Sequence, residues 1–385
     1  MRDSFLPYAK QWLDDEDIEV VLNVLKSDYL TTGPMVSIFE NKVANYVGAK
    51  YAVAFSNGTA ALHGACFAAG VGLGDEVITT PITFAASANC VLYQGGKVVF
   101  ADIDPQTYNI DPVEIKRKIT DKTKAIVPVD FTGQPVNLEK IYEIAKDSNL
   151  IIIEDAAHAL GARYKENKIG ALSDMTMFSF HPVKHITTGE GGMITTNNEV
   201  YYKRLLQFRS HGITRAPDDL LENHGPWYYE MQYLGYNYRM TDIQAALGIS
   251  QMNKLEMFLE KRKEIVDRYN LAFGDLPQLN IPYQDSLCES SWHLYVIRLN
   301  LDKLTVGRKE IFEALQKQNI GVNVHYIPVH LHPYFRGLGY NKGSLPKAER
   351  LYEEIISLPL FPKMTEQDVD DVIHAVTSTI NLFKK

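Results

Sequence analysis

The stretch Leu150-Ile151-Ile152-Ile153-Glu154-Asp155-Ala156-Ala157-His158-Ala159 decides the fold class. Its first four residues are apolar on both faces of an extended segment, the pattern of a central strand covered by helices on both sides of its sheet. Small residues follow the two carboxylates, so the chain leaves the sheet near Asp155. Working outward, β-rich runs recur at residues 51–56, 76–79, 97–101, 125–129, 175–179 and 193–196. Helical patterns link them, most clearly at 59–69 and 138–148. This alternation predicts a large, mostly parallel α/β sheet. Residues 1–48 read as an arm and a helix, punctuated by Pro7 and by Gly33-Pro34. Past residue 251 the texture changes to a charged amphipathic helix at 251–272 and a strand at 293–299. A helix at 308–318, a strand at 322–326 and a closing helix at 366–382 follow. The expected division is a large domain over 1–250, with an N-terminal arm, and a smaller α+β domain over 251–385.

Bulk properties narrow the function. A chain of 385 residues exceeds one ordinary core. Its 45% hydrophobic and 22% charged residues are those of a globular protein. A net charge of -8 argues against a nucleic-acid surface, which needs clustered Lys and Arg. Three widely spaced cysteines imply neither a disulfide framework nor a Cys-rich metal site. No apolar run approaches the roughly 20 residues of a membrane helix, and the start has no signal-peptide core. A soluble, cytoplasmic protein is expected.

Four local patterns carry chemistry, each at a predicted strand end, where open α/β sheets bind ligands. Phe178-Ser179-Phe180-His181-Pro182-Val183-Lys184-His185 leaves one strand through a Pro-marked turn and returns through Gly189-Glu190-Gly191-Gly192. A lysine between buried strands is partly desolvated, which lowers its pKa and frees the amine for attack on an aldehyde. A lone loop lysine would otherwise be a surface residue; Ser179 and the glycines favour the first reading. Asp155 can present a carboxylate to a ligand or N-cap a following helix, and the small Ala156, Ala157 and Ala159 leave room for a planar ring. Ser56-Asn57-Gly58-Thr59 joins a strand to a helix, which makes either an anion site or an ordinary cap. Phe84, after the 76–79 strand, faces a ligand or packs in the core. A lysine amine, a carboxylate, a phosphate cradle and a flat group are what pyridoxal phosphate requires of a protein.

Other signals carry less. Gly70-Val71-Gly72-Leu73-Gly74-Asp75 follows a helix and precedes a strand, the wrong order for a dinucleotide loop. Asp102-Ile103-Asp104 reads as a turn before Pro105 rather than a metal-binding pair. His325, His330 and His332 match no standard metal spacing, and Pro182 separates His181 from His185. No metal is expected.

The segments SNGTAAL, ITTPITFAASAN, EDAAHALGA, FSFHPVKHITTGEGG and LGYNYRMTDIQAALG, in this order, resemble the nucleotide-sugar aminotransferase family (DegT/DnrJ/EryC1/StrS type) of the type I pyridoxal-phosphate fold. The resemblance runs from LTTGP at Leu30 to VHYIPVH at Val324. It implies Lys184 as the cofactor-bearing lysine, Asp155 as partner of the pyridine nitrogen, and His158 beside the ring or its 3-hydroxyl. It further implies Gly58, Thr59 and Ser179 on the phosphate, Phe84 stacked on the ring, and Asn237 reaching the phosphate of a partner subunit in a homodimer with shared sites. Tyr8, Asp28, Tyr29, Leu30, Thr31, Arg239, His325 and Tyr326 resemble the sugar-nucleotide contacts. Relatives with His in place of the lysine dehydrate instead; this chain keeps Lys184. HPVKHITTGEGG, GPWYYEM and VHYIPVHLHPY resemble the branch of the pseudaminic acid route. The substrates so implied are L-glutamate and UDP-4-keto-6-deoxy-L-AltNAc, aminated at C4. Another nucleotide 4-keto-sugar, or a non-catalytic sugar-nucleotide sensor on this fold, is the alternative.

Overall fold

A computed structural model describes residues 2–385. Seven strands form the main sheet, in the spatial order Tyr51–Phe55, Gly192–Thr196, Met175–Ser179, Ile151–Asp155, Thr123–Val127, Glu76–Thr79 and Lys97–Phe100. The last five pair in parallel; helices make every crossover among them except the one from Ile151–Asp155 to Met175–Ser179, which runs through the short hairpin Arg163–Tyr164 and Asn167–Lys168. Gly192–Thr196 is antiparallel to both its neighbours. The cause is the connection: residues 180–191 hold no helix, so the chain turns straight back beside Met175–Ser179. That turn carries Lys184.

The Ile151–Asp155 strand is buried at Ile152 and beyond, and lies inside the sheet with hydrophobic layers on both faces, as its sequence predicts. Helices Gly58–Ala68 and Ala86–Tyr93 supply one layer, and Pro34–Val47 and Leu138–Ser148 the other. The N-terminal arm holds two helices rather than the one expected. The acidic run Asp14–Asp17 makes a capping box on the first, Asp15–Leu25, whose N-terminal dipole end favours carboxylates.

Three antiparallel strands, Leu279–Asn280, Tyr295–Leu299 and Ile355–Leu358, form a smaller sheet covered by helices Arg308–Lys317 and Glu366–Phe383. One helix, Asp242–Phe273, serves both cores, burying Ala245, Leu255 and Phe258 in the large one and Val266, Tyr269 and Phe273 in the small one. It starts at Asp242 rather than at the expected 251, because Thr241 and Gln244 form a capping box there. Leu6 packs into the small core and exchanges backbone bonds with Asn319 and Gly321 at 2.9 and 2.7 Å.

The strand expected at 322–326 does not form. Only Asn323 bridges Ser357, and the chain then leaves the sheet. Beyond it, the His325 ring bonds the Ser357 hydroxyl at 2.8 Å, and the Val329 N–H donates to the Pro81 carbonyl at 2.9 Å. The segment is thereby drawn across to the large sheet. Among the described residues, no helix is long and apolar enough to cross a membrane.

Gly192 marks where the antiparallel strand meets the Asn57-Gly58 turn. A Cβ there would lie 2.5 Å from the Asn57 carbonyl oxygen and 2.8 Å from Gly58 Cα. Both obstacles are backbone, so the strand would have to shift. Gly192→Ala is expected to destabilise the protein by about 1–3 kcal/mol, the usual cost of overpacking. An unchanged urea midpoint would show that the strand moves freely.

Candidate active site

A cavity of about 710 Å³ opens at the C-terminal ends of the parallel strands. Five strands contribute at or just beyond their last residues: Asn57 and Gly58, Thr83 and Phe84, Val129, Asp155, and Ser179. Separate crossovers thus deliver groups distant in sequence to one rim.

Asp155 ends its strand, 4% exposed. Its Oδ2 accepts from the Ser87 hydroxyl at 2.6 Å and its Oδ1 from the Ala157 N–H at 3.2 Å. Burial pushes its pKa up, while Ser87, Ala157 and the Lys184 charge oppose this. No helix begins here, so Asp155 is not a cap. Burial also lowers the Lys184 pKa to about 8, with Asp155 pulling the other way.

His158 is enclosed beside them, its Nε2 3.1 Å from the Tyr326 hydroxyl and its ring 4.3 Å from that of His293. Desolvation, then the positive charges of Lys184, His325 and His185, hold its pKa well below the ordinary value, so the ring is neutral. Its Nδ1 is buried without a partner in the chain.

The residues expected on the phosphate, Gly58, Thr59 and Ser179, also line this cavity. Asn57 caps helix Gly58–Ala68, accepting from the Ala60 N–H at 2.8 Å. The Gly58 and Thr59 N–H groups bond nothing among the described residues and sit at the positive end of the helix dipole. A Cβ on Gly58 would stand 3.3 Å from Ser179 Cβ, so the glycine permits the close approach of Ser179. Phe84 lines the mouth, 63% exposed, its ring 6.4 Å from that of Tyr326.

Of the expected sugar contacts, Tyr8, His325 and Tyr326 line this cavity. Tyr8 and His325 rings are 5.4 Å apart. The His325-Tyr326 pair was expected at a strand end and instead lies on the irregular segment crossing between sheets. Asp28, Tyr29, Leu30, Thr31, Asn237 and Arg239 do not line the chain's own cavity. Leu30 and Thr31 instead adjoin the start of helix Asp242–Phe273, where the Asp242 N–H donates to the Leu30 carbonyl at 3.0 Å and Thr31 bridges Thr241. Asn237 bridges Ser210 and is exposed; Arg239 Nε is buried without a partner.

Sequence reasoning missed Ser87, His293 and Glu190, all of which touch the site. Ser87 carries no local signal, because it meets Asp155 only through the fold. His293 opens a run of strand residues and reads there as core. Glu190 was visible within the glycine-rich turn.

These residues fit pyridoxal phosphate: an amine depressed into the nucleophilic range, a buried carboxylate held from two sides, unpaired N–H groups at a helix start, and an orphaned imidazole nitrogen. Fold and site define a pyridoxal-phosphate aminotransferase of type I architecture. The DegT/DnrJ/EryC1/StrS aminotransferase family matches residues 11–377, and the chain belongs to it. The Bacillus subtilis spore coat polysaccharide biosynthesis protein SpsC is 43% identical over 98% of both chains. Helicobacter pylori PseC, an aminotransferase involved in the biosynthesis of pseudoaminic acid, is 35% identical, with a TM-score of 0.91 over 99% of this chain and 100% of that one. A putative sugar aminotransferase of Streptococcus pneumoniae, solved in its PLP form, is 32% identical, with a TM-score of 0.91 over 98% and 99%.

Proposed function

We propose that the protein moves the amino group of L-glutamate to C4 of UDP-4-keto-6-deoxy-L-AltNAc, a UDP-4-keto-6-deoxy-N-acetyl-hexosamine, on the route to pseudaminic acid in the cytoplasm. The observation that carries the reading is one cavity lined together by Lys184, Asp155, Tyr8, His325 and Tyr326. Bound pyridoxal phosphate supplies an electron sink for the carbanion formed next to the transferred nitrogen. In this reading Lys184 carries the cofactor, and its Nζ takes and returns the proton at the reacting carbon of each substrate. Asp155, fixed by Ser87, keeps the pyridine nitrogen protonated. Gly58, Thr59 and Ser179 hold the phosphate, Phe84 covers the ring, and neutral His158 donates or accepts beside its 3-hydroxyl. Tyr8, His325 and Tyr326 orient the sugar.

The remaining expected contacts come from a second copy. Leu22, Tyr29, Leu30, Trp227, Leu234 and Tyr236 are large apolar side chains left exposed by a single chain, and Asn237 and Arg239 directly follow the last of them in sequence. We infer a homodimer in which the partner's Asn237 reaches the phosphate, with Asp28, Tyr29, Leu30, Thr31 and Arg239 acting across the interface. Mixing inactive Lys184→Ala protein with an inactive Asn237→Ala variant is then expected to restore activity, since one mixed site regains both groups. Verified heterodimers that stay inactive would refute shared sites.

A second reading has its own support: the relative named for spore coat polysaccharide is the more identical, at 43% against 35%. The substrate would then be another nucleotide 4-keto-sugar. Purified protein with glutamate is expected to aminate UDP-4-keto-6-deoxy-L-AltNAc and to leave dTDP-4-keto-6-deoxyglucose, which lacks the 2-acetamido group, largely unreacted. The products are read by mass and NMR. Preference for the dTDP sugar rejects the pseudaminic acid substrate and keeps the aminotransferase.

A further inference from the structure

Behind the active site lie two carboxyl groups that no step above uses. Glu154 precedes Asp155, so strand alternation turns its side chain to the opposite face of the sheet. It is fully buried there. Asp130 follows the Thr123–Val127 strand, also fully buried, and its N–H donates to the Asp155 carbonyl at 3.1 Å. One oxygen of each is satisfied: Asp130 Oδ1 by the Val136 N–H at 2.9 Å, and Glu154 Oε2 by the Thr176 hydroxyl at 2.9 Å. The other two, Asp130 Oδ2 and Glu154 Oε1, are buried and have no donor. The two carboxyl groups are electrostatic neighbours there, and the buried Ser173 hydroxyl, itself without a bonded partner, lies beside Glu154 as well.

Ionised carboxylates only accept, so two of them facing each other in a dry site repel unless a proton lies between. The titratable groups around them are Asp155 on the same strand, Tyr142 from helix Leu138–Ser148 and Cys288 from the edge strand Cys288–Glu289. Among the described residues, no Lys, Arg or His bonds either carboxyl group. Two negative charges would therefore go uncompensated, whereas one charge with one shared proton satisfies both orphaned oxygens.

We propose that Asp130 and Glu154 share a single proton, and that the one negative charge they keep reinforces Asp155 in holding the proton on the pyridine nitrogen of the cofactor. This rests on the reading of Asp155 given above. Burial, then the Glu154 charge, drives Asp130 well above the usual carboxylate range, while burial lifts Glu154 to about 7. Both directions place the shared proton on Asp130, donated toward Glu154.

The sharing has a distinctive genetic signature. Asp130→Asn or Glu154→Gln alone supplies an amide N–H donor and keeps one carboxylate, so each preserves the charge and the bond. Asp130→Asn/Glu154→Gln removes the charge. The ring nitrogen is read by 15N NMR of holoenzyme loaded with 15N-labelled pyridoxal phosphate between pH 7.5 and 9.5, above the Glu154 pKa of about 7, where the pair holds one proton and one charge. Each single variant is expected to titrate as the wild type does. The double variant is expected to lose the ring proton at least tenfold more readily, with its midpoint lowered by one pH unit or more. A double variant that matches the wild type, or single variants that already behave like the double one, overturns the proposal.

Asp155→Asn separates the two readings. If it frees the ring proton and the double variant does not, the dyad inference alone fails. If it changes nothing, the Asp155 assignment fails and takes the inference with it. Apo-protein gives an independent readout should the double variant not fold. Raised native pKa values mean the folded chain keeps protons that the unfolded chain has lost, so wild-type stability falls as pH rises from the ordinary carboxylate range through about 7, where Glu154 gives up its own proton, and further above it, where Asp130 gives up the shared one. Both single variants are expected to show a shallower fall in melting temperature over that range. An unchanged slope in both overturns the shared proton.

Discussion

Lys184→Ala protein is expected to fold, bind pyridoxamine phosphate and turn over on the order of 10⁴-fold more slowly or not at all, because in the proposed function it loses both the covalent attachment and the proton carrier. The environment that makes Lys184 reactive is visible in its surroundings. The turn of residues 180–191 sets it between two antiparallel strands, and burial brings its pKa down to about 8. At pH 7 roughly a tenth of the amine is then neutral, against well under a thousandth for a free lysine near 10.4. The sign of the pH effect follows. Capture of pyridoxal phosphate by apo-protein needs the free amine, so its rate should climb with pH and level off above about 8. Stopped-flow absorbance measures this directly. Capture that is flat from pH 6 to 9, or a Lys184→Ala protein with normal multiple turnover, would remove Lys184 from the mechanism.

Asp155→Asn is expected to reduce kcat by on the order of 10²–10³-fold, the range seen when a buried electrostatic partner of the reacting group is removed. The shape of the site is retained, because the amide oxygen can still accept from the Ala157 N–H, now at 3.2 Å from Oδ1, while the amide NH2 in the place of Oδ2 can donate to the Ser87 hydroxyl, now at 2.6 Å. What is lost is the charge. An amide does not hold a pyridinium proton, so electrons from the breaking C–H bond are drawn into the ring less strongly. The loss should appear in kcat far more than in KM, since the partner acts on the transition state. Ser87→Ala leaves the charge and removes one hydrogen bond, which predicts a much smaller effect. Equal losses in both variants would mean that Asp155 acts through its geometry and not its charge.

Much of this was legible in the residues. Period-two patterns, β-branched runs and small-residue exits are short-range properties, and they located the strands and placed Lys184, Asp155, Gly58, Thr59 and Ser179 at strand ends. That the strands flanking the turn at 180–191 lie side by side was shown by the fold. Other features had no local trace. The 322–326 run has the composition of a strand, yet His325 and Val329 find partners in Ser357 and Pro81, and the chain crosses the cavity instead. The long helix begins nine residues ahead of its charged stretch, at Asp242, because its first turns face the core and carry apolar and small residues.

By itself, then, the sequence located the candidate residues: the amine in a tight turn, the carboxylate closing a buried strand, the free N–H groups opening a helix. The tertiary structure alone decided what surrounds them. Ser87 meets Asp155 across 68 residues, His158 faces Tyr326 across 168, and Asp130 lies against Glu154 behind the sheet. Those encounters depend on strand order and on the depth at which each side chain is packed. Burial sets the pKa of Lys184 and forces Asp130 and Glu154 to be considered as a pair. Hydrophobic periodicity reports whether a segment is buried, not which other segment it is buried against, and that second fact is what the active site is made of.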